Sequence, residues 1–76
     1  MKSGIKTYMA PRDVPPYQAL MNSLIKHHGN QTRACNAIGL SDYSFHRLMR
    51  DGDISVANAR KIMAGYTAMK NEMVAA

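Results

Sequence analysis

Three histidines and one cysteine are the side chains in this chain best suited to metal or nucleophilic chemistry: adjacent His27 and His28, then Cys35, then His46. Imidazole and thiolate bind zinc, but structural zinc sites take their ligands in close-set pairs, and this order supplies none of the compact pairings. Satisfied or exposed histidines are therefore expected, and no metal. A lone cysteine forms no internal disulfide and fits a reducing compartment, so Cys35 reads as a small core filler. No glycine-rich phosphate loop, paired-carboxylate cluster or nucleophile-base arrangement stands out. The expectation is a protein without enzymatic activity, cofactor or evident small-molecule ligand.

A second group of residues carries recognition chemistry instead. Ser41, Asp42, Tyr43, His46, Arg47 and Arg50 fall within one short span. Arginine bonds guanine bidentately, hydroxyls bond bases or backbone phosphates, and a carboxylate accepts from the cytosine amino group. Ten Lys+Arg against five Asp+Glu give a formal charge of +5 and a pI near 9.7, a balance that favours polyanions.

These side chains need elements to hold them. The chain has 76 residues, 46% of them hydrophobic, enough for one folded domain with a modest core. Residues 1–14 read as an N-terminal arm in which Ile5 to Met9 make a short extended segment, either mobile or paired with another chain. Lys2, Lys6 and Arg12 either enter a minor groove or keep the arm soluble. The remaining domain, 15–76, opens with Tyr17, Leu20, Met21, Leu24, Ile25 and His28 at helical spacing. Prolines suit that helix's first turn and Gly29 its end.

Asn30 is the expected cap of a short second helix ending at Gly39. Ala34, Cys35 and Ile38 share one side of it, and the first two are small enough for close helix approach. Gly39 is placed to take a positive φ in a sharp turn, with Leu40 plugging the corner. Ser41 caps a third helix running to about Asp51, with Phe45, Leu48 and Met49 on its apolar face. Gly52 breaks it, and Ser55 caps a fourth helix, 55–73, in which Ala59, Ile62, Met63, Tyr66, Met69 and Met73 keep the helical period. Met63, Tyr66, Met69 and Met73 form either core or a dimer surface. The expected fold is all-α, a small four- to five-helix bundle containing a helix-turn-helix at about 30–51. No apolar run is long enough for a membrane span and no signal peptide is evident, so a cytoplasmic location is expected.

Two helices joined by a tight glycine turn, the second presenting polar and basic side chains, meet the requirements of major-groove reading. The segment "GNQTRA" followed by "IGLS" resembles the helix-turn-helix of Fis-type nucleoid proteins and of NtrC-type DNA-binding domains. "HHGNQTRACNAIGLSD" is also similar to small phage repressors of the Cro type, and "DGDISVANARKIM" to the segment after the recognition helix in repressor-like proteins. Together these resemblances span about Leu24 to Met63.

The Fis resemblance implies phosphate contacts from Asn30, Thr32 and Arg33, and groove contacts from Ser41, Ser44 and Arg47. The free N–H groups of a helix start agree with a phosphate site there. The expected phosphate-binding set is thus Asn30, Gln31, Thr32, Arg33 and Arg50, and the base-reading set Ser41, Asp42, Tyr43, Ser44, His46 and Arg47. Asp42 stands where the Fis pattern has a basic residue, and Phe45 where it has a smaller aliphatic one. The extension through a fourth helix leans toward the repressor architecture.

The function these readings imply is a sequence-specific regulator, of phage or mobile-element type, that occupies an operator in double-stranded DNA. A homodimer through the C-terminal helix or the arm would match two half-sites. The alternative is a protein-binding module on the same frame, such as an antirepressor or an inhibitor of a host defence complex.

Overall fold

The computed structural model describes residues 8–75. Four helices follow one another: α1 Pro15–His28, α2 Gln31–Ile38, α3 Asp42–His46 and α4 Val56–Ala75. A 3-10 turn, Pro11–Asp13, leads into α1, and a widened π-helical turn, Arg47–Asp51, continues α3. The all-α fold is the one the hydrophobic spacing calls for. None of these helices is long and apolar enough to cross a membrane.

Three of the helices begin where a side chain can serve the free N–H groups of the first turn. Asn30 and Ser41 hold extended backbone and accept from Arg33 N at 2.8 Å and Ser44 N at 3.1 Å. Ser55 does the same for α4, accepting from Asn58 N at 3.2 Å. The α1 start has no such cap, and Pro15 and Pro16 remove the need, since their nitrogens carry no hydrogen.

The core is assembled from one stripe of each helix. Met21 and Leu24 of α1, Ala34 and Cys35 of α2, Phe45 and Leu48 of the third helix and Ala59 and Ile62 of α4 are all buried, with Leu40 filling the α2 to α3 corner. Full burial of a side chain the size of Leu24 or Ile62 contributes roughly 1.5–3 kcal/mol. α2 and α4 approach so closely that a methyl group on Gly65 would overlap Ile38 Cγ2 and lie 3.2 Å from Ile38 Cβ. The small residue at that close approach is therefore Gly65 of α4, which meets Ile38 of α2.

Three features depart from the sequence-based expectation. The arm does not wait for another chain. Tyr8 forms an antiparallel bridge with Ser55, and Met9 N donates to Ile54 O at 2.9 Å. Val14, at the end of the expected arm, is only 1% exposed, and Met9 packs against the core, whereas Tyr8 and residues 10–13 are exposed; Lys2, Lys6 and the segment from Ile5 to Thr7 lie outside the described residues.

The third helix is not uniform either. Past His46 it widens, so that Gly52 N reaches both Arg47 O and Leu48 O, and Gly52 closes it in the left-handed conformation at φ 70°. Gln18 of α1 donates from Nε2 to Leu48 O at 2.9 Å and ties the widened turn to the first helix. Finally, the α4 stripe splits. Met69 is buried, Tyr66 half-buried, and Met63 and Met73 exposed.

Candidate functional site

The α2-turn-α3 unit is held from three sides. At its centre Gly39 adopts φ 73°, a conformation that costs a residue with a Cβ, and Leu40 N closes the turn onto Cys35 O at 2.9 Å. Lys61 of α4 donates to Gly39 O at 3.3 Å. Ser41 Oγ donates to Ser44 Oγ at 3.0 Å while accepting from Ser44 N, and Asn58 Nδ2 donates to the same Ser44 Oγ at 3.1 Å. The start of α3 is therefore bolted to the start of α4.

The residues expected to bind phosphate stand at the α2 start. Asn30, Thr32 and Arg33 are exposed and Gln31 is half-buried. Asn30 Oδ1 is engaged as the cap, which leaves its amide N–H groups and the Arg33 guanidinium facing outward. Arg50, 74% exposed, has Nε 3.3 Å from Asp51 Oδ1.

The expected reading face divides in two. Ser41, Asp42, Tyr43 and His46 are exposed, Tyr43 to 69%. Ser44 and Arg47 are half-buried and committed to internal bonds. Arg47 is the hub. Its Nη2 donates to Asp53 Oδ2 at 2.7 Å, Nη1 donates to Tyr43 Oη at 2.9 Å, and Nε lies 3.4 Å from Asp51 Oδ2 without the direction of a hydrogen bond. The guanidinium also sits 5.8 Å from the Tyr43 ring centre. The bonds to Asp53 and then Tyr43 raise the Arg47 pKa, so the group stays charged at every accessible pH.

This arrangement braces the turn after α3 and fixes the tyrosine ring. It does not offer a free arginine fork to a base. Sequence alone places Arg47 in the base-reading set; in the structure two of its guanidinium nitrogens are engaged within the chain, by Asp53 and Tyr43. Sequence reasoning also passed over Asp51, Asp53, Asn58 and Tyr8. Of these, Asp53, Asn58 and Tyr8 surround a recess of about 50 Å³ together with Tyr43, Ser44 and Arg47. The spacing from Arg47 to Asp51 is a readable helical pair; Asp53 comes into reach only because Gly52 turns the chain back.

The histidines and the cysteine are dispersed. His27 and His28 meet edge to face at 5.0 Å, with His27 Nε2 3.6 Å from Glu72 Oε1, and His46 packs edge-on against Phe45 at 5.5 Å. Cys35 is buried, and burial, helped by the negative charge of Asp42, pushes its thiol pKa up. Such a thiol is protonated near neutral pH and a poor nucleophile. Among the described residues no three His, Cys, Asp or Glu side chains gather as metal ligands would.

Compared with protein-family models, with curated proteins and with solved structures, the chain finds no match.

Proposed function

We propose that the chain binds duplex DNA through the α2-turn-α3 unit and acts as a regulator by occupying its site. The observation that carries this reading is the pair of capped helices locked across a glycine turn, with Thr32, Arg33, Ser41, Tyr43, His46 and Arg50 exposed along them. Arg33, beside the free N–H groups at the α2 start, and Arg50 supply phosphate contacts, and the exposed side chains of α3 enter the groove. Arg47 acts indirectly by holding Tyr43. A net charge of +5 supports association with the polyanion.

The test is selection from a random duplex pool at two salt concentrations, with Arg33→Ala and Arg50→Ala proteins alongside. The expected result is an enriched motif whose binding falls with salt and is weakened about equally for all sequences by Arg33→Ala and by Arg50→Ala. Retention no better than that of a charge-matched control protein rejects the reading.

One observation favours a second reading. Asp42, Asp51 and Asp53, three of the five acidic residues, fall between Ser41 and Ile54 and offset Arg47 and Arg50. A face of mixed charge with an exposed tyrosine also suits a protein interface. Capture of a protein partner that Tyr43→Ala abolishes, with no selected duplex, would establish that module instead.

A further inference from the structure

Away from the α2-turn-α3 unit, the C-terminal halves of α1 and α4 enclose an open groove of about 630 Å³. Tyr66, Met69, Met73 and Val74 line it from α4 together with Lys70, whereas the α1 wall is polar, formed by Ser23, Lys26 and His27. Met73 is 62% exposed and Val74 83%. Contiguous apolar side chains left in water beside a groove mark an interaction surface more often than chance exposure does. α4 has 20 residues against 14 in α1, and every side chain from Lys70 to Val74 is exposed. The last turns of α4 therefore lack the packing that normally sustains a helix end.

We propose that this groove docks an acidic amphipathic helix of another protein. Shape and charge select that occupant. A furrow between two helices accepts the ridge of a third, with apolar anchors spaced at helical intervals, and the exposed, flexible Met73 adapts to the anchor it meets. A flat lipid surface cannot enter it. Lys26 and Lys70 are the cations of the groove wall, and the single acid of α1 and α4, Glu72, is already beside His27. A second copy of the chain laid on this groove would bring the same cationic surface, two further lysines with only its own Glu72 to answer them. Acidic residues flanking the apolar anchors of a foreign helix meet those lysines favourably instead. The groove takes this occupant whatever α3 contacts.

The experiment is methyl NMR of the full chain with 13C-methyl methionine, titrated with three synthetic helical peptides of equal length. One has a leucine face and glutamates elsewhere, the second the same leucine face with lysines, and the third the glutamates with serine in place of leucine. The expected result is that the glutamate-leucine peptide moves the Met69 and Met73 methyl signals, leaves Met21 and Met49 unmoved, and binds roughly fivefold more tightly than the lysine-leucine peptide. Both rim lysines are exposed, so a Lys26→Glu, Lys70→Glu double variant keeps the fold and inverts the order of the two leucine peptides. Equal binding of the two leucine peptides, or serine-peptide binding as tight as that of its leucine counterpart, overturns the proposal. So does broadening of the Met69 and Met73 signals with protein concentration alone, which marks a second copy, or movement caused only by phosphatidylglycerol vesicles.

Discussion

The α2-turn-α3 unit and the far end of α4 use their side chains in opposite ways. Around the turn, polar groups are engaged inside the chain. Asn30 and Ser41 cap their helices, Ser44 joins α3 to α4, and Arg47 braces Asp53 and Tyr43. At the end of α4, apolar side chains are left without such engagement, and Met73 and Val74 project into solvent. One region has its geometry fixed before any partner arrives, which lowers the ordering cost of binding, whereas the other keeps adaptable surface whose burial would itself drive association.

The largest effect on this comparison should come at Gly65, where α2 packs against the middle of α4 ahead of its exposed end. A valine at Gly65 has no room against Ile38, and Gly65→Val is expected to cost about 2 kcal/mol in urea unfolding, typical of an overpacked core. Ile38→Ala in the same chain should return part of that loss. Independence of the two effects would mean that α2 and α4 do not meet closely there.

Next in size are the caps. Asn30→Ala and Ser41→Ala should each cost ~1 kcal/mol by the same measurement, while Met73→Ala should change stability by less than about 0.5 kcal/mol. If Met73→Ala proves as costly as the cap variants, the end of α4 is packed and the contrast fails.

Asp53→Asn sharpens the contrast from the side of charge. Releasing Arg47 from its 2.7 Å ion pair should cost little stability, because both side chains are partly solvated. It should also tighten duplex binding and steepen its salt dependence by about 0.9 in log-log slope, one added phosphate contact. An unchanged slope in a filter-binding titration would leave Arg47 with no latent role toward phosphate.

The smallest effect is a pH dependence. The Cys35 thiol has a raised pKa when folded. Its contribution to stability is complete below the unfolded thiol value of about 8.5 and declines as pH rises above that toward the folded value. Unfolding free energies measured between about pH 8 and 9.5 should therefore fall less steeply for Cys35→Ala than for the parent. Parallel curves would place the thiol in water.

Caps and glycine turns were legible because their causes are local. Asn30, Ser41 and Ser55 each serve a backbone group three residues on, and Gly39 and Gly52 supply the backbone conformation each turn demands. The buried stripes of α1 and α3 follow from spacing alone. Gly65 was opaque, because a glycine inside a helix reads as a weakness until the neighbouring helix is in view.

The same limit governs the candidate site. Exposure of Tyr43, His46 and Arg50 follows from their position opposite Phe45 and Leu48, but the engagement of Arg47 depends on the widened turn that brings Asp53 back beneath it. Arm pairing was missed for a related reason: Tyr8 meets Ser55 only after α1 and α4 have packed.

That pairing carries a kinetic consequence. The caps and helices form from neighbouring residues, whereas the hydrogen bond from Met9 to Ile54 joins opposite halves of the sequence and gains nothing until the helices between have collapsed. Its formation is expected after the rate-limiting barrier. Loosening it should leave the refolding arm of a chevron plot in place and lift the unfolding arm, so that the segment before α1 serves as a brake on coming apart.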